Sequence, residues 1–341
     1  MKMEQITIKD VSRAAGVSVT TVSRYLNGKF GQISDKAKDK VKKAIEELNY
    51  RPNLTARTLK SQKTNLIGVI VSDIANPVSA YLIKGVIDEC DKEGYQVITA
   101  CSDEDTEREK DYAQAMFDRQ VEGLVICIVN HEEFSHLENL KDMGAKIVLA
   151  IRPISKPVFD VVAANNIESA ENAIRTLYKK GFERIALFSP ELIKSKVRFD
   201  RYCAFLNQSK AYVDDPNKLV YFQKKPEDYV GALQDFVSKN PDKRLAAFAL
   251  TPMALLHLLD AVDQLGLDIP KDIGICGYDN LPWTNLISGG ISVVEQPFHE
   301  MGVQSARLLI RRITGAEDSG PQHISLKSKL ILRNSTEIEP S

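Results

Sequence analysis

From Leu66 onward the chain alternates short, nearly uninterrupted apolar runs with amphipathic stretches, and that alternation restricts it to an α/β architecture. The runs are LIGVIVS (66–72), YQVITA (95–100), GLVICIV (123–129), AKIVLAI (145–151), RIALFS (184–189), RLAAFAL (244–250), IGICGY (273–278) and ISVVEQ (291–296). Strands this apolar are covered on both faces, as in parallel sheets. The stretches at 78–93, 107–119, 167–180, 227–239 and 297–314 carry the helical period between them. Two doubly wound sets are expected, the first ending near residue 163 and the second starting there.

The first 60 or so residues are different. In TIKDVSRAAGVSVTTVSRYLN (7–27), Thr7 with Asp10 forms a capping-box pattern that starts a helix. Ile8, Val11, Ala14 and Ala15 fall on one face of it, and Gly16 ends it. Ser18 caps a second helix whose buried face holds Val22 and Leu26. Two short helices joined by a tight glycine turn make a helix-turn-helix. The exposed face of the second helix offers Val19, Thr20 and Arg24 to base edges, with Arg24 suited to bidentate bonding of guanine. Thr21, Ser23 and Asn27 are placed for phosphates. A third helix is expected from Ser34, its cap, to Leu48, with Ala37, Val41, Ala44, Ile45 and Leu48 as its apolar stripe.

Charge agrees with this division. Residues 1–63 hold 14 Lys/Arg against 6 Asp/Glu, whereas the remainder holds 31 against 40. A basic head on an acidic body fits phosphate binding by one end only. No apolar run is long enough to span a bilayer and no signal peptide opens the chain, so a cytoplasmic protein with no membrane partner is expected. Five scattered cysteines (90, 101, 127, 203, 276) form no CxxC pair, and five histidines show no ligand spacing. Neither a metal nor a cofactor is expected. With no GxxxxGK[ST], GxGxxG or GxSxG motif, an enzyme is not expected either.

TIKDVSRAAGVSVTTVSRYLNG followed by ELNYRPNLTARTLK resembles the LacI/GalR family of bacterial repressors, and the likeness runs the length of the chain. It implies an all-α helix-turn-helix head (1–50), a hinge helix and linker (51–62), and two periplasmic-binding-protein-like subdomains. Three crossovers would divide these into 63–163 plus 293–324 and 164–292 plus 325–341. It also implies a homodimer on pseudo-palindromic double-stranded operator DNA, with DNA contacts from Thr7, Ser18, Val19, Thr20, Thr21, Ser23, Arg24, Asn27, Ser34, Asn53, Ala56 and Arg57. Leu59 would be the apolar wedge of a hinge helix over about 53–61, opening a base step from the minor groove.

The resemblance further implies an effector in the cleft between the subdomains. KSKVRFDRYCAF (194–205) is similar to the family's R-x-x-G-aromatic motif, with Arg201 as the effector-contacting Arg and Ala204 in place of Gly. GYDN (277–280) matches a segment whose Asp, here Asp279, bonds sugar hydroxyls. Strand ends add Asp73, Asn76, Arg152, Asn165 and Asn166, Arg198 accompanies Arg201 in the same segment, and Trp283 offers a ring for stacking. Two departures bear on the ligand. Leu250-Thr251 replaces an Asn-Asp pair, and Ile151-Arg152 keeps an Arg but loses its acid. A cleft losing carboxylates while holding Arg152, Arg198 and Arg201 suits an anionic effector, a sugar acid or sugar phosphate. The pattern also resembles ketodeoxygluconate-type regulators. The competing readings are a sugar-binding transport protein, which needs an export signal, and a sugar-modifying enzyme, which needs a nucleophile or nucleotide loop.

Overall fold

A computed structural model describes residues 6–50, 63–192 and 195–337. The chain divides into two units, residues 1–64 and 65–341.

The first unit holds α1 (Ile8–Ala15), α2 (Val19–Leu26) and α3 (Asp35–Glu47). Thr7 N and Oγ1 both donate to Asp10 Oδ2, at 2.9 and 2.6 Å, which closes the start of α1. Gly16 stops it with φ +58, a conformation that costs other residues a steric clash at Cβ. Ser18 Oγ accepts from Thr21 N at 3.1 Å and starts α2. Val11, Ala15, Val22, Val41, Ala44 and Tyr50 form the small core. Ala14, expected on the buried face, is exposed. Its place one residue before Ala15 turns it about 100° away from the core.

In the second unit the described residues form two six-stranded sheets. The first contains β1 (Leu66–Val71), β2 (Gln96–Cys101), β3 (Gly123–Ile126), β4 (Ile147–Ala150), β5 (Asp160–Ala164) and β11 (His323–Leu326). Their order is β11-β5-β4-β3-β1-β2, and all pairs are parallel. The second contains β6 (Arg184–Ser189), β7 (Val220–Phe222), β8 (Leu245–Ala249), β9 (Gly274–Tyr278), β10 (Ser292–Glu295) and β12 (Lys329–Ile331). Their order is β12-β10-β9-β8-β6-β7, with β12 antiparallel at the edge.

Helices cover the sheets: α4 (Pro77–Lys92), α5 (Thr106–Asp118), α6 (Ser135–Asp142), α7 (Asn166–Lys179), α8 (Lys196–Ser209), α9 (Asp228–Ser238), α10 (Pro252–Gln264) and α11 (Phe298–Thr314). The chain therefore passes between subdomains near residues 165, 296–297 and 327–328. The expected second and third divisions, after 292 and 324, fall inside strands. The run ISVVEQ continues as β10 to Glu295 in the second sheet, and β11 pairs with β5 through Leu326.

Helices α4 and α11 meet at glycines. A Cβ on Gly85 would lie 2.0 Å from His299 O, and one on Gly302 would lie 2.2 Å from Leu82 O. This close crossing fixes the ends of both helices, which begin just past Asn76 and Gln296. Arg312 ties the far end of α11 to β5 through two bonds of 2.8 Å to Asp160, and it bonds Ser319 O, in the segment after the helix, at 2.6 Å.

Candidate DNA-binding head and ligand cleft

On α2 the side chains expected to face a groove are exposed. Val19 is 40% exposed, and Thr20 and Arg24 are also exposed. Ser23 and Thr21 are half-buried. Thr21 Oγ1 lies 2.9 Å from Ser18 Oγ, so both hydroxyls also serve the cap. Asn27 Nδ2 donates to Ser23 O at 2.8 Å, closing α2. Ser34 caps α3 by accepting from Ala37 N at 3.3 Å. Thr7, Ser18 and Ser34 are thus helix caps whose exposed oxygens sit at N-termini, where the helix dipole favours an anion. Asn53, Ala56, Arg57 and Leu59, with the hinge segment 53–61, lie outside the described residues.

In the second unit, carboxyl-terminal strand ends of the two sheets face each other. Glu104, beyond β2, lies within Coulombic reach of Arg198 at the start of α8. Arg201, one turn on, is 4% exposed. Its Nε donates to Asn166 Oδ1 at 3.0 Å and its Nη1 to Leu250 O at 2.7 Å. Its guanidinium carbon stands 3.5 Å from the centroid of the Tyr278 ring, a cation–π contact in a desolvated place. Asp279, the next residue, is buried with φ +75 and accepts from Gln296 Nε2 at 2.6 Å. Burial pushes its carboxyl up to about 6, against the pull of Arg201 and Gln296. Burial likewise lowers Arg201, while Tyr278 and Asp279 hold it up.

Asp279 also borders a cavity of about 470 Å³ at the crossovers, lined by Val78, Tyr81, Gln296, Phe298 and Lys327 among others. Both subdomains contribute to its wall. That size fits a small ligand.

The remaining expected residues divide. Arg152 reaches the cleft but is not bare: its Nη1 donates to Glu104 Oε2 at 2.8 Å and its Nη2 bonds Glu104 Oε1. Burial opposes its charge, and the Glu104 bonds outweigh that and raise its pKa. Asp73 and Asn76 accept from backbone N–H groups of Ala75 and Val78, shaping the turn into α4. Asn165 is committed to a crossover: its Oδ1 accepts from Ser328 N at 2.8 Å and its Nδ2 donates to Glu168. Its neighbour Asn166 is the residue that meets Arg201. Trp283 is half-buried against the core of the second subdomain, so its ring is packed as much as presented.

Sequence patterns missed Glu104 and Gln296, whereas the Asn165-Asn166 pair after Val161–Ala164 was visible as a strand end. Glu104 has no such signal, because its partner is 48 residues away. Among the described residues no group of His, Cys, Asp and Glu is placed to hold a metal ion. No helix there is long and apolar enough to cross a membrane.

Known proteins match both units of the chain. A family description, bacterial regulatory proteins of the lacI family, matches residues 7–53, and a periplasmic binding protein-like domain matches 174–336. The HTH-type transcriptional regulator KdgR of Bacillus subtilis (strain 168) is 35% identical over 333 residues, 96% of this chain and 97% of that one. The chain belongs to the LacI family. It is a DNA-binding transcriptional regulator with a helix-turn-helix head and a periplasmic-binding-protein-like body.

Other LacI-family relatives agree. The regulator PtxS of Pseudomonas putida (strain KT2440) is 31% identical over 335 residues, covering 98% of this chain and 97% of that one. The regulator CelR solved with cellobiose superposes with a TM-score of 0.68 at 26% identity, over 97% and 99% of the two chains. The lac repressor dimer bound to operator and the anti-inducer ONPF shares the fold, with a TM-score of 0.81 at 21% identity over 98% and 99%.

One outcome can be read from Asp279 directly. Its folded pKa lies above the ordinary value of 3.8, so the native state holds a proton that the unfolded chain releases. The stability this adds is full below about pH 4 and is lost as pH rises through about 6. Asp279→Asn, which tolerates positive φ, removes that loss. Relative to wild type, the ligand-free variant is expected to gain about 3 kcal/mol in urea unfolding between pH 4 and 7. It is expected to bind effector at least tenfold more weakly. A flat difference curve would show that Asp279 is not held in its present burial.

Proposed function

We propose that this LacI-family chain is a cytoplasmic repressor of carbohydrate-utilisation genes, released or engaged by an anionic sugar-like effector in the cleft. A homodimer binds a pseudo-palindromic operator, each α2 in a major groove. The segment around Leu59 enters the minor groove between them. Effector shifts the population of cleft arrangements, and with it the order of the hinge and the operator affinity.

The observation that carries this reading is the arginine-rich cleft, with Arg201 buried beside Asp279 and with Arg152 and Arg198 converging from opposite subdomains. Such groups serve a ligand carrying both hydroxyls and negative charge. The solved CelR complex with cellobiose supports a saccharide in the corresponding fold. Calorimetry against neutral sugars, sugar acids and sugar phosphates tests it. Tight binding of a neutral sugar, with no heat from either anionic class, contradicts it.

For the head, Arg24→Ala is expected to cost about 1–3 kcal/mol of operator affinity and to relax one operator position. Competition binding with singly substituted operators measures both. Unchanged specificity would remove Arg24 from the reading of bases.

A further inference from the structure

Glu104 and Arg152 are held where they are by an unusual backbone. Asp103 and Glu104 sit at φ +52 and +56, and Ile151, a β-branched residue, at φ +67. Positive φ is costly for each of them and persists only where surroundings impose it. The bonds of Ile151 N to Val162 O at 2.8 Å and of Glu104 N to Ser72 O at 2.8 Å do so here. The result is a two-pronged carboxylate–guanidinium pair at the cleft, joined by Arg152 Nη1 to Ile128 O.

The Glu104 side chain remains about 46% exposed while that of Arg152 is 19% exposed, so a ligand meets the carboxylate before the guanidinium. Burial alone would raise Glu104, yet its bonds to Arg152 and the field of Arg198 keep it ionised below the usual range. The other acid near Arg152, Glu109, is wholly buried behind β3 on Val129 N and His136 Nε2. A ligand anion approaching Arg198 therefore comes up beside Glu104, while Glu191, the other acid in the field of Arg198, is paired with Lys224 at 2.8 Å.

We infer that Glu104 is a specificity-determining residue: it limits the charge of the cleft ligand, admitting a monoanionic carboxylate and excluding a phosphate dianion. This rests on the reading of the cleft as an anionic effector site and narrows it. A carboxylate brings one charge to Arg198 and leaves the Glu104–Arg152 pair intact. A dianion brings two, and beside the half-exposed Glu104 carboxylate like charges repel more strongly than in bulk water. Both Nη groups of Arg152 are bonded to Glu104, so it cannot compensate unless Glu104 leaves.

The test is calorimetry on the full chain with neutral hexoses and pentoses, their aldonic acids and their terminal phosphates. Wild type is expected to bind an aldonic acid at least tenfold tighter than the matching phosphate. Glu104→Gln is expected to narrow that ratio at least tenfold, whereas Glu104→Asp, which keeps the charge, preserves it. Thermal unfolding of the variants identifies any loss of fold, and Glu104→Asn, which also removes the charge and tolerates positive φ, carries the test if the Gln variant is unstable. Phosphates binding wild type as tightly as acids would overturn this inference and leave the anionic site standing. So would an unchanged ratio in Glu104→Gln. Binding of neutral sugars alone would overturn both.

Discussion

Gly302→Val is expected to cost about 4 kcal/mol or more and to leave little soluble protein. Helix propensity argues the other way, because a glycine inside a helix is worse than most residues by up to about 1 kcal/mol. Contact decides. The space a Cβ would take at Gly302 is held by Leu82 O at 2.2 Å and Val86 N at 2.9 Å, both backbone atoms that no side-chain rotation can move. The helices must separate, and the apolar face shared by Leu82, Val86, Met301 and Ala306 opens with them. Gly320→Ala, with nothing near its missing Cβ, is the control and is expected to change stability by no more than about 0.5 kcal/mol. Urea unfolding of the two variants makes the comparison. The outcome reaches function, since the α4–α11 crossing sets the positions of Val78 and Phe298 on the cavity wall.

The second large effect belongs to Arg201. Arg201→Leu is expected to remove effector binding and to destabilise the body by about 3–5 kcal/mol. The substitution strips the donors from Asn166 Oδ1 and Leu250 O and takes the cation from the face of Tyr278. Asp279 is then left buried without its nearest positive charge. Arg201→Lys keeps the charge but not the fork, so effector binding is expected to stay weak. Operator binding by the head should survive at temperatures where the body is folded, but without response to effector. Melting curves with and without ligand, together with operator titrations, separate the two losses.

How much of this was legible depended on how locally each feature is encoded. The central strands read directly, because residues such as Leu245–Ala249 are buried on both faces and carry no polar interruption. β7, β11 and β12 did not, because they are edge strands with one face half open, as His323–Leu326 shows. The helix α8 was hidden for a different reason. Its buried stripe runs Val197, Arg201, Ala204, Phe205, and a charged residue in the stripe breaks the apolar period. The cap-and-turn signals of the head, Thr7-Asp10, Gly16 and Ser18, lie within a few residues of their partners and were all readable. The cleft was readable where motifs supplied it, as at Arg201 and Asp279. It was unreadable where distant segments meet, as at Glu104 with Arg152 and Gln296 with Asp279. Asn165 shows the opposite failure: a polar residue at a strand end looked like a ligand contact, but the crossover consumes its side chain.

The central claim is that a charged ligand in the cleft controls a head that reads DNA. It is tested most directly by titrating a labelled operator duplex with the full chain at several salt concentrations, with and without a saturating sugar acid identified by calorimetry. The account predicts affinity that falls steeply with salt and changes at least tenfold when effector is added. It also predicts that Arg201→Leu abolishes that change. Operator affinity that stays the same at saturating effector would contradict it.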